Sequence, residues 1–275
     1  MVESRTSPTA PAQAVLEAFG ASGTPEQLAG GRGLAWRSGA VVLRPAGDPE
    51  EVRWTSEKLA ELTAENAAQP DGAGGFRVPR PFRDNEGNWT RGGWQALEWV
   101  PGKADEARVD DILRASEAFH RATAGLARPS FIDAAATPWS VADRVAWGEL
   151  TCPADRLLHL LLMEYQPVDT PPQVIHGDLL GNVLFAEGRA PAVIDWAPYW
   201  RPPGFGAAIA VMDAACWHDY PLASLADHHG IPHWRQLLLR ALVFRITALR
   251  LLGHWNAPLT ARHAPVAAAV ITLPG

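Results

Sequence analysis

Over the first hundred residues, apolar and polar positions alternate in short runs broken by glycine and proline, the pattern of half-buried strands. After a short helical spacing at 13–19, the runs GLAWRS (33–38) and AVVLRPA (40–46) flank the turn signal Ser38-Gly39 and predict an antiparallel hairpin. Asp48 followed by Pro49 supplies an N-cap and a first helical residue for a helix running through Leu62. FRVPRPFRD (76–84) and NWTRGGWQALEWV (88–100) then flank Asn85-Glu86-Gly87, a further turn between strands.

Beyond Pro101-Gly102 the period changes. Ile112, Leu113, Ala115, Ala118 and Phe119 lie at helical spacing within 110–124, and 155–165 repeats the pattern more strongly. One strand-like island, VIHGDLLGNVLFAEGRAPAVIDW (174–196), interrupts these helices, and helix-forming segments around 207–217 and 234–252 follow it. Clustered strands followed by clustered helices predict an α+β fold in two lobes, 1–100 and 101–275, with the boundary within 97–103. The most apolar late stretch, QLLLRALVFRITALRLLG, is broken by Arg240, Arg245 and Arg250. Arginine is costly at bilayer depth, so this segment reads as a buried helix of a soluble protein, and no membrane partner is expected.

Composition narrows the classes. The chain has 275 residues, 47% hydrophobic and 20% charged, which is enough for one large or two smaller cores. Thirty acidic against 24 basic side chains give a net charge of -6, which lacks the basic footprint of a nucleic-acid binder. Cys152 and Cys216 are the only cysteines and are far apart, without CxxC or zinc-type spacing, so neither a disulfide framework nor structural zinc is expected. That usage, with a polar N-terminus lacking the apolar core of a signal peptide, predicts a cytoplasmic protein.

The chemistry concentrates in the island. The runs 182–185 and 192–195 are joined by Glu187-Gly188-Arg189 and predict a hairpin whose open end brings Asn182 close to Asp195. Asp178 stands four residues before Asn182, in the loop that enters the hairpin. An amide oxygen and a carboxylate are hard ligands suited to Mg²⁺, which is commonly held by one or two protein groups plus substrate phosphates. Asp178 is then left to orient or deprotonate a hydroxyl. Each of these residues alone is an ordinary loop residue; their order and spacing carry the signal.

With HGDLLGN (176–182), VIDW (193–196), VVLRP (41–45), ALEWVPG (96–102) and a helix ending in Phe119-His120, the chain resembles the aminoglycoside phosphotransferase and choline kinase-like family, relatives of the protein kinases. The resemblance spans nearly the whole chain in the right order. It implies a bilobal protein-kinase-like fold, with an N-lobe of antiparallel sheet plus helix that binds nucleotide. The C-lobe it implies is mostly helical and carries the catalytic β-hairpin and the acceptor, with ATP between the lobes. The implied reaction is ATP-dependent transfer of the γ-phosphoryl group to a hydroxyl of a small molecule. Asp178 is the implied catalytic base, Asn182 and Asp195 the implied Mg²⁺ ligands, and His176 the residue that braces the loop. Arg44 takes the place of a phosphate-binding lysine, and backbone groups near Glu98 and Val100 are the implied adenine contacts. Glu51 is the candidate partner of Arg44, with Glu57 the alternative. Asp213 resembles the acid that braces the catalytic loop from a later helix.

Two positions depart from the family pattern. Only Leu179, Leu180 and Gly181 separate Asp178 from Asn182, where the family has four residues, so the turn must be tighter, and Gly181 permits it. Arg44 keeps the lysine's charge but replaces a compact ammonium with a planar fork. These departures leave a second reading, a pseudokinase or nucleotide-binding module without transfer activity. A third, a metal-dependent hydrolase using His176, Asp178 and Asp195, lacks further ligands at metal spacing. The glycine turn 30–33 lacks the lysine of a phosphate loop and reads as a turn first. Trp196, Tyr199, Trp200, Arg201 and Trp217 read either as core or as an aromatic wall for an acceptor, and the acids at 105, 106, 110 and 111 either as a solvated helix start or as an attraction for an amine.

Overall fold

A computed structural model describes residues 9–30, 33–67 and 75–274. Gly31 and Arg32 of the 30–33 turn lie outside the described residues. The chain packs as two compact units, residues up to Gly102 together with Ala186–Ile194, and Lys103–Phe185 together with Asp195–Gly275.

The first unit holds α1 (Gln13–Ala18), β1 (Glu26–Gln27), β2 (Trp36–Ser38), β3 (Val41–Pro45), α2 (Pro49–Ala67), β4 (Pro81–Phe82), β5 (Thr90–Arg91) and β6 (Trp94–Glu98). The sheet runs β1-β2-β3-β6-β4 with every pair antiparallel, and the predicted β2–β3 hairpin pairs Trp36 with Leu43 and Ser38 with Val41. The runs flanking the 85–87 turn pair through β4 and β6, Pro81 with Leu97 and Phe82 with Ala96, and β5 pairs with Trp94 and Gln95, so β4 and β5 line up end to end along one edge of β6. The turn itself forms, closed by the Asp84 carboxylate, which accepts from the N–H groups of Glu86 and Asn88 at 2.9 and 2.8 Å.

Alternation along β3 decides what each face carries. Val41 and Leu43 are buried in a cluster with Ala96 of β6 and with Val15, Leu16 and Phe19 of the α1 segment. Val42 and Arg44 therefore project from the opposite face. On α2, Val52, Thr55, Ser56, Leu59 and Leu62 form the buried stripe at helical spacing, and the helix continues five residues beyond the predicted Leu62.

The second unit comprises β7 (Lys103–Ala104), α3 (Val109–Thr123), α4 (Phe131–Ala134), α5 (Pro138–Ala146), α6 (Arg156–Met163), β8 (Gln173–His176), β9 (Val183–Phe185), β11 (Pro198–Arg201), α7 (Gly204–Trp217), α8 (Trp234–Leu251) and α9 (Ala257–Ile271). The intervening strand β10 (Ala192–Val193) belongs to the first unit, where Arg77 N–H donates to Pro191 O at 2.7 Å and Val193 N–H to Arg77 O at 2.8 Å. Both strands of the predicted island hairpin form. Within the second unit β9 pairs with β7, and β8 pairs with β11 in a ladder that sets His176 against Pro198 and Gln173 against Arg201.

Of the stripe predicted on α3, Ile112, Leu113, Ala115 and Phe119 are buried and Ala118 is partly so, and Val109 and His120 are buried with them. Helices α7 and α8 are buried on nearly every face, as their near-continuous apolar sequence requires. Among the described residues, no helix is long and apolar enough to cross a membrane.

The start of α2 can be tested directly. Asp48 Oδ1 accepts from the Glu50 and Glu51 N–H groups at 2.9 and 3.0 Å, so Asp48→Ala should cost about 1 kcal/mol in urea unfolding, and Asp48→Asn much less. Equal stability of all three proteins would show that the cap contributes nothing.

Candidate active site

The site of the second unit begins with how β8 ends. Val174, Ile175 and His176 are buried, and their polar groups are met by side chains of α3. Thr123 donates to Val174 O at 3.1 Å, Gln173 Nε2 donates to His120 O at 2.6 Å, and His120 Nε2 accepts from His176 N–H at 2.9 Å. His176 then turns back on its own loop, its Nδ1 accepting from Asp178 N–H at 3.1 Å. These bonds place the imidazole protons on His120 Nδ1, 3.4 Å from Ser116 Oγ, and on His176 Nε2. Burial, reinforced by the neighbouring His176, lowers His120 to about 3, so its ring is neutral. The bracing expected of His176 is present as one link in this relay. The part played by His120 was not legible, because nothing in a helix-ending Phe-His announces which strand it meets.

Gly177 follows without a side chain because Tyr199 of β11 covers it; a Cβ there would lie 2.4 Å from the tyrosine ring. Asp178 comes next, half exposed, and the chain turns at once. Asn182 N–H donates to Leu179 O at 2.9 Å across a four-residue turn whose third residue, Gly181, has φ 82°, a value that glycine adopts without strain. The missing residue of the loop is thus absorbed where expected. The turn brings Asn182 Nδ2 to within 2.8 Å of Asp178 O and 3.4 Å of Asp178 Oδ2, so the amide oxygen Oδ1 is directed elsewhere.

Asp195 reaches the same end of the β8–β11 ladder. Gly177 N–H donates to Ala197 O at 2.9 Å, and Trp196 Nε1 donates to Ile175 O at 3.2 Å, so residues 195–197 run alongside 175–178. Asp195 itself is exposed and left-handed at φ 52°, uncommon for a residue other than glycine and frequent at functional sites.

The feature the sequence did not disclose is Arg245. Its Nε donates to both carboxylate oxygens of Asp213, at 2.8 and 3.0 Å, and its Nη2 bonds both Asp213 and Asp178 Oδ1, the latter at 2.6 Å. Burial works against the guanidinium charge, but the two carboxylates outweigh it and raise the Arg245 pKa. Burial raises the Asp213 carboxyl, with Arg245 pulling against it. Asp213 therefore reaches the loop through a guanidinium. A signal was present: Asp213 and Arg245 each stand in an otherwise apolar helical run, and buried charges need partners.

In the first unit, Arg44 lies opposite Gln95 in the β3–β6 register. Burial lowers its proton affinity while the Glu51 charge raises it, and Glu51 shows the reverse, raised by burial and lowered by Arg44. The electrostatic partner is thus Glu51 of the two acids considered. Glu98 N–H donates to Arg80 O at 2.8 Å and Glu98 Oε2 accepts from Arg80 N–H at 3.3 Å; Val100 is buried. Of the aromatic set after Asp195, Trp196 packs edge-on against Phe119 at 5.0 Å, and Arg201 is held by Asp143 and Glu149, which is the core reading. Trp217 remains partly exposed. Asp111 is occupied by Arg108 and Arg114.

The fold and these motifs define a protein-kinase-like transferase. The chain belongs to the phosphotransferase enzyme family, whose model matches residues 34–242. Among solved structures it is similar to an aminoglycoside phosphotransferase from Alicyclobacillus acidocaldarius at 14% identity and TM-score 0.61, over 98% of this chain and 96% of that one. It is similar to a choline kinase from Streptococcus pneumoniae at 11% identity and TM-score 0.54, over 93% and 95%. A spectinomycin phosphotransferase, solved with ADP and spectinomycin, aligns at 14% identity and TM-score 0.53 over 94% and 91%. At these identities the likeness is one of fold. No curated protein sequence matches the chain.

The neutral His120 makes a pH prediction. Its pKa is lowered in the fold to about 3 from an ordinary 6.5, so its contribution to stability is full above pH 6.5 and is lost as pH falls toward 3. In His120→Gln, which can still accept from His176 N–H but does not titrate, unfolding free energy should fall less steeply over that window. Parallel curves for the two proteins would remove His120 from the acid response.

Proposed function

We propose that the protein transfers the γ-phosphoryl group of ATP to a hydroxyl of a small molecule. The observation that carries this reading is the loop 176–182, which sets Asp178 and Asn182 in contact across a tight turn while Asp195 stands at the same end of the β8–β11 ladder. Family membership supplies the reaction class, and the related structures containing ADP support a nucleotide donor.

The donor set fits a magnesium ion. Asn182 offers an amide oxygen and Asp195 an exposed carboxylate, both hard oxygen ligands. Among the described residues no group of three or more His, Cys, Asp or Glu converges as a self-sufficient metal cage would require. Mg²⁺ shared with phosphates needs no such cage. Asn182 and Asp195 would hold the ion, which when bound neutralises phosphate charge. Asp178 accepts the hydrogen bond of the acceptor hydroxyl, orients its oxygen for attack and receives its proton. In the first unit, Arg44, kept in place by Glu51, contacts the nucleotide phosphates as the lysine of the family does. Adenine bonds to backbone near Glu98 and Val100; since the Glu98 N–H is used by Arg80 O, the Glu98 contact is through its carbonyl. The first unit is then the nucleotide-binding lobe, and the second the catalytic and acceptor lobe.

The two aspartates should separate in experiment. Asp195→Asn should lose Mg²⁺-dependent ADP binding together with turnover, whereas Asp178→Asn should bind Mg²⁺ and ADP normally while transfer falls by about 10²- to 10⁴-fold. Calorimetry with ADP and a mass-gain screen of pooled hydroxyl metabolites with ATP supply the two readouts. Equal loss of nucleotide binding in both variants would overturn the roles; normal Mg²⁺-nucleotide binding with no transfer to any acceptor would favour a pseudokinase.

Arg44→Ala should weaken nucleotide binding, and Arg44→Lys should retain much of it. Unchanged affinity and turnover in Arg44→Ala would make this residue structural.

A further inference from the structure

We propose that Arg245 is a positioning residue that holds the Asp178 carboxylate in its working orientation and keeps it off the metal ion. This rests on the reading just given, in which Asp178 handles the acceptor and Asn182 and Asp195 the metal. With only three residues between Asp178 and Asn182, the turn presses a metal-ligand amide to 3.4 Å from Asp178 Oδ2. A free carboxylate beside a divalent cation is drawn onto it, one side-chain rotation away, and a carboxylate bound to the metal no longer faces the acceptor. Loop length alone therefore does not keep the two functions apart.

Arg245 supplies the missing constraint. It comes from the middle of α8, well outside the loop, and its guanidinium is fixed before it meets Asp178. The Asp213 carboxylate grips it from α7, and the rings of Trp139 and Phe244 lie 5.7 and 5.2 Å from its Cζ. The side chains of Arg245 and Asp213 are 14% and 11% exposed, against 46% for Asp178. A rigid buried fork thus holds Oδ1 of a half-exposed carboxylate and leaves Oδ2 beside the Asn182 amide, 3.4 Å from its Nδ2. His176, itself held by His120, accepts from the backbone N–H of the same residue, and Arg245 is the charged contact that selects its rotamer.

The test is a double-mutant cycle of Arg245→Gln with Asp178→Asn, read by kcat and by calorimetric affinity for ADP in the presence of Mn²⁺. Arg245→Gln should lower kcat by about 10²-fold, as loss of orientation does, while Mn²⁺-ADP is bound as tightly as by the wild type or more tightly. In the Asp178→Asn background the same change should cost little further turnover, because Arg245 acts through that carboxylate, and any gain in metal-nucleotide affinity should vanish. Independent, multiplicative losses of kcat, an unchanged kcat in Arg245→Gln, or a parallel loss of Mn²⁺-ADP affinity would overturn the proposal. If Arg245→Gln fails to fold, as judged by circular dichroism and melting, Asp213→Asn takes its place; it keeps the guanidinium and loosens only its anchor, and should show the same split in smaller measure. A wild type that binds no nucleotide and transfers no phosphoryl group would instead remove the phosphotransferase reading itself.

Discussion

The buried guanidinium of Arg245 needs carboxylates to balance its charge, and meeting that need ties together three distant parts of this chain. Helices α7 and α8 present almost uninterrupted apolar surfaces, which on their own permit many alignments. Arg245 and Asp213 permit one: removing either partner of such a buried pair leaves an uncompensated charge, at a cost of about 3–5 kcal/mol. The register that satisfies them also aims the guanidinium's remaining donor at Asp178, on a loop 67 residues earlier. The packing of the helical unit and the orientation of the Asp178 carboxylate are therefore one constraint.

The backbone leading to that carboxylate is held by imidazoles. His120 and His176 act as hydrogen-bond acceptors for the backbone N–H groups of His176 and Asp178, and burial keeps the His120 pKa low. Thr123 and Gln173 complete the set, so the end of β8 is stitched to α3 through a dry interior in which an unpaired peptide group would be costly. Asp178 follows where the chain reaches solvent, half exposed. In the first unit the same economy appears in β3, whose strict alternation sends Leu43 into the core and Arg44 to the other face, where Glu51 meets it.

The shortened loop shows how a fold shared at 11–14% identity accommodates local change. Gly181 supplies the left-handed residue that the tighter turn needs, and the side-chain amide of Asn182 remains bonded to the Asp178 carbonyl. A contact from α8, Arg245 on the Asp178 carboxylate, adds to the bonds the turn itself makes.

Local patterns determined much of this protein without any structure. Alternation placed β2, β3 and β6, helical spacing placed α2, α3, α6, α7 and α8, Asp48 announced its helix, and the ordered motifs around 176–182 and 193–196 identified family and candidate site, because each depends on residues close together in the chain. Tertiary structure alone decided which strands pair and which charges meet. The ladder of β8 with β11, the attachment of residues 186–194 to Arg77, the end-to-end seating of β4 and β5 on β6, and the meeting of His120 with His176 all join positions whose sequences carry no mark of one another. Arg245 is the instructive case: a charge within a largely apolar helix calls for a partner, but the choice of Asp213 and Asp178 depends on how α7, α8 and the loop pack, and backbone geometry over such distances is set by the whole core and by no local run of residues.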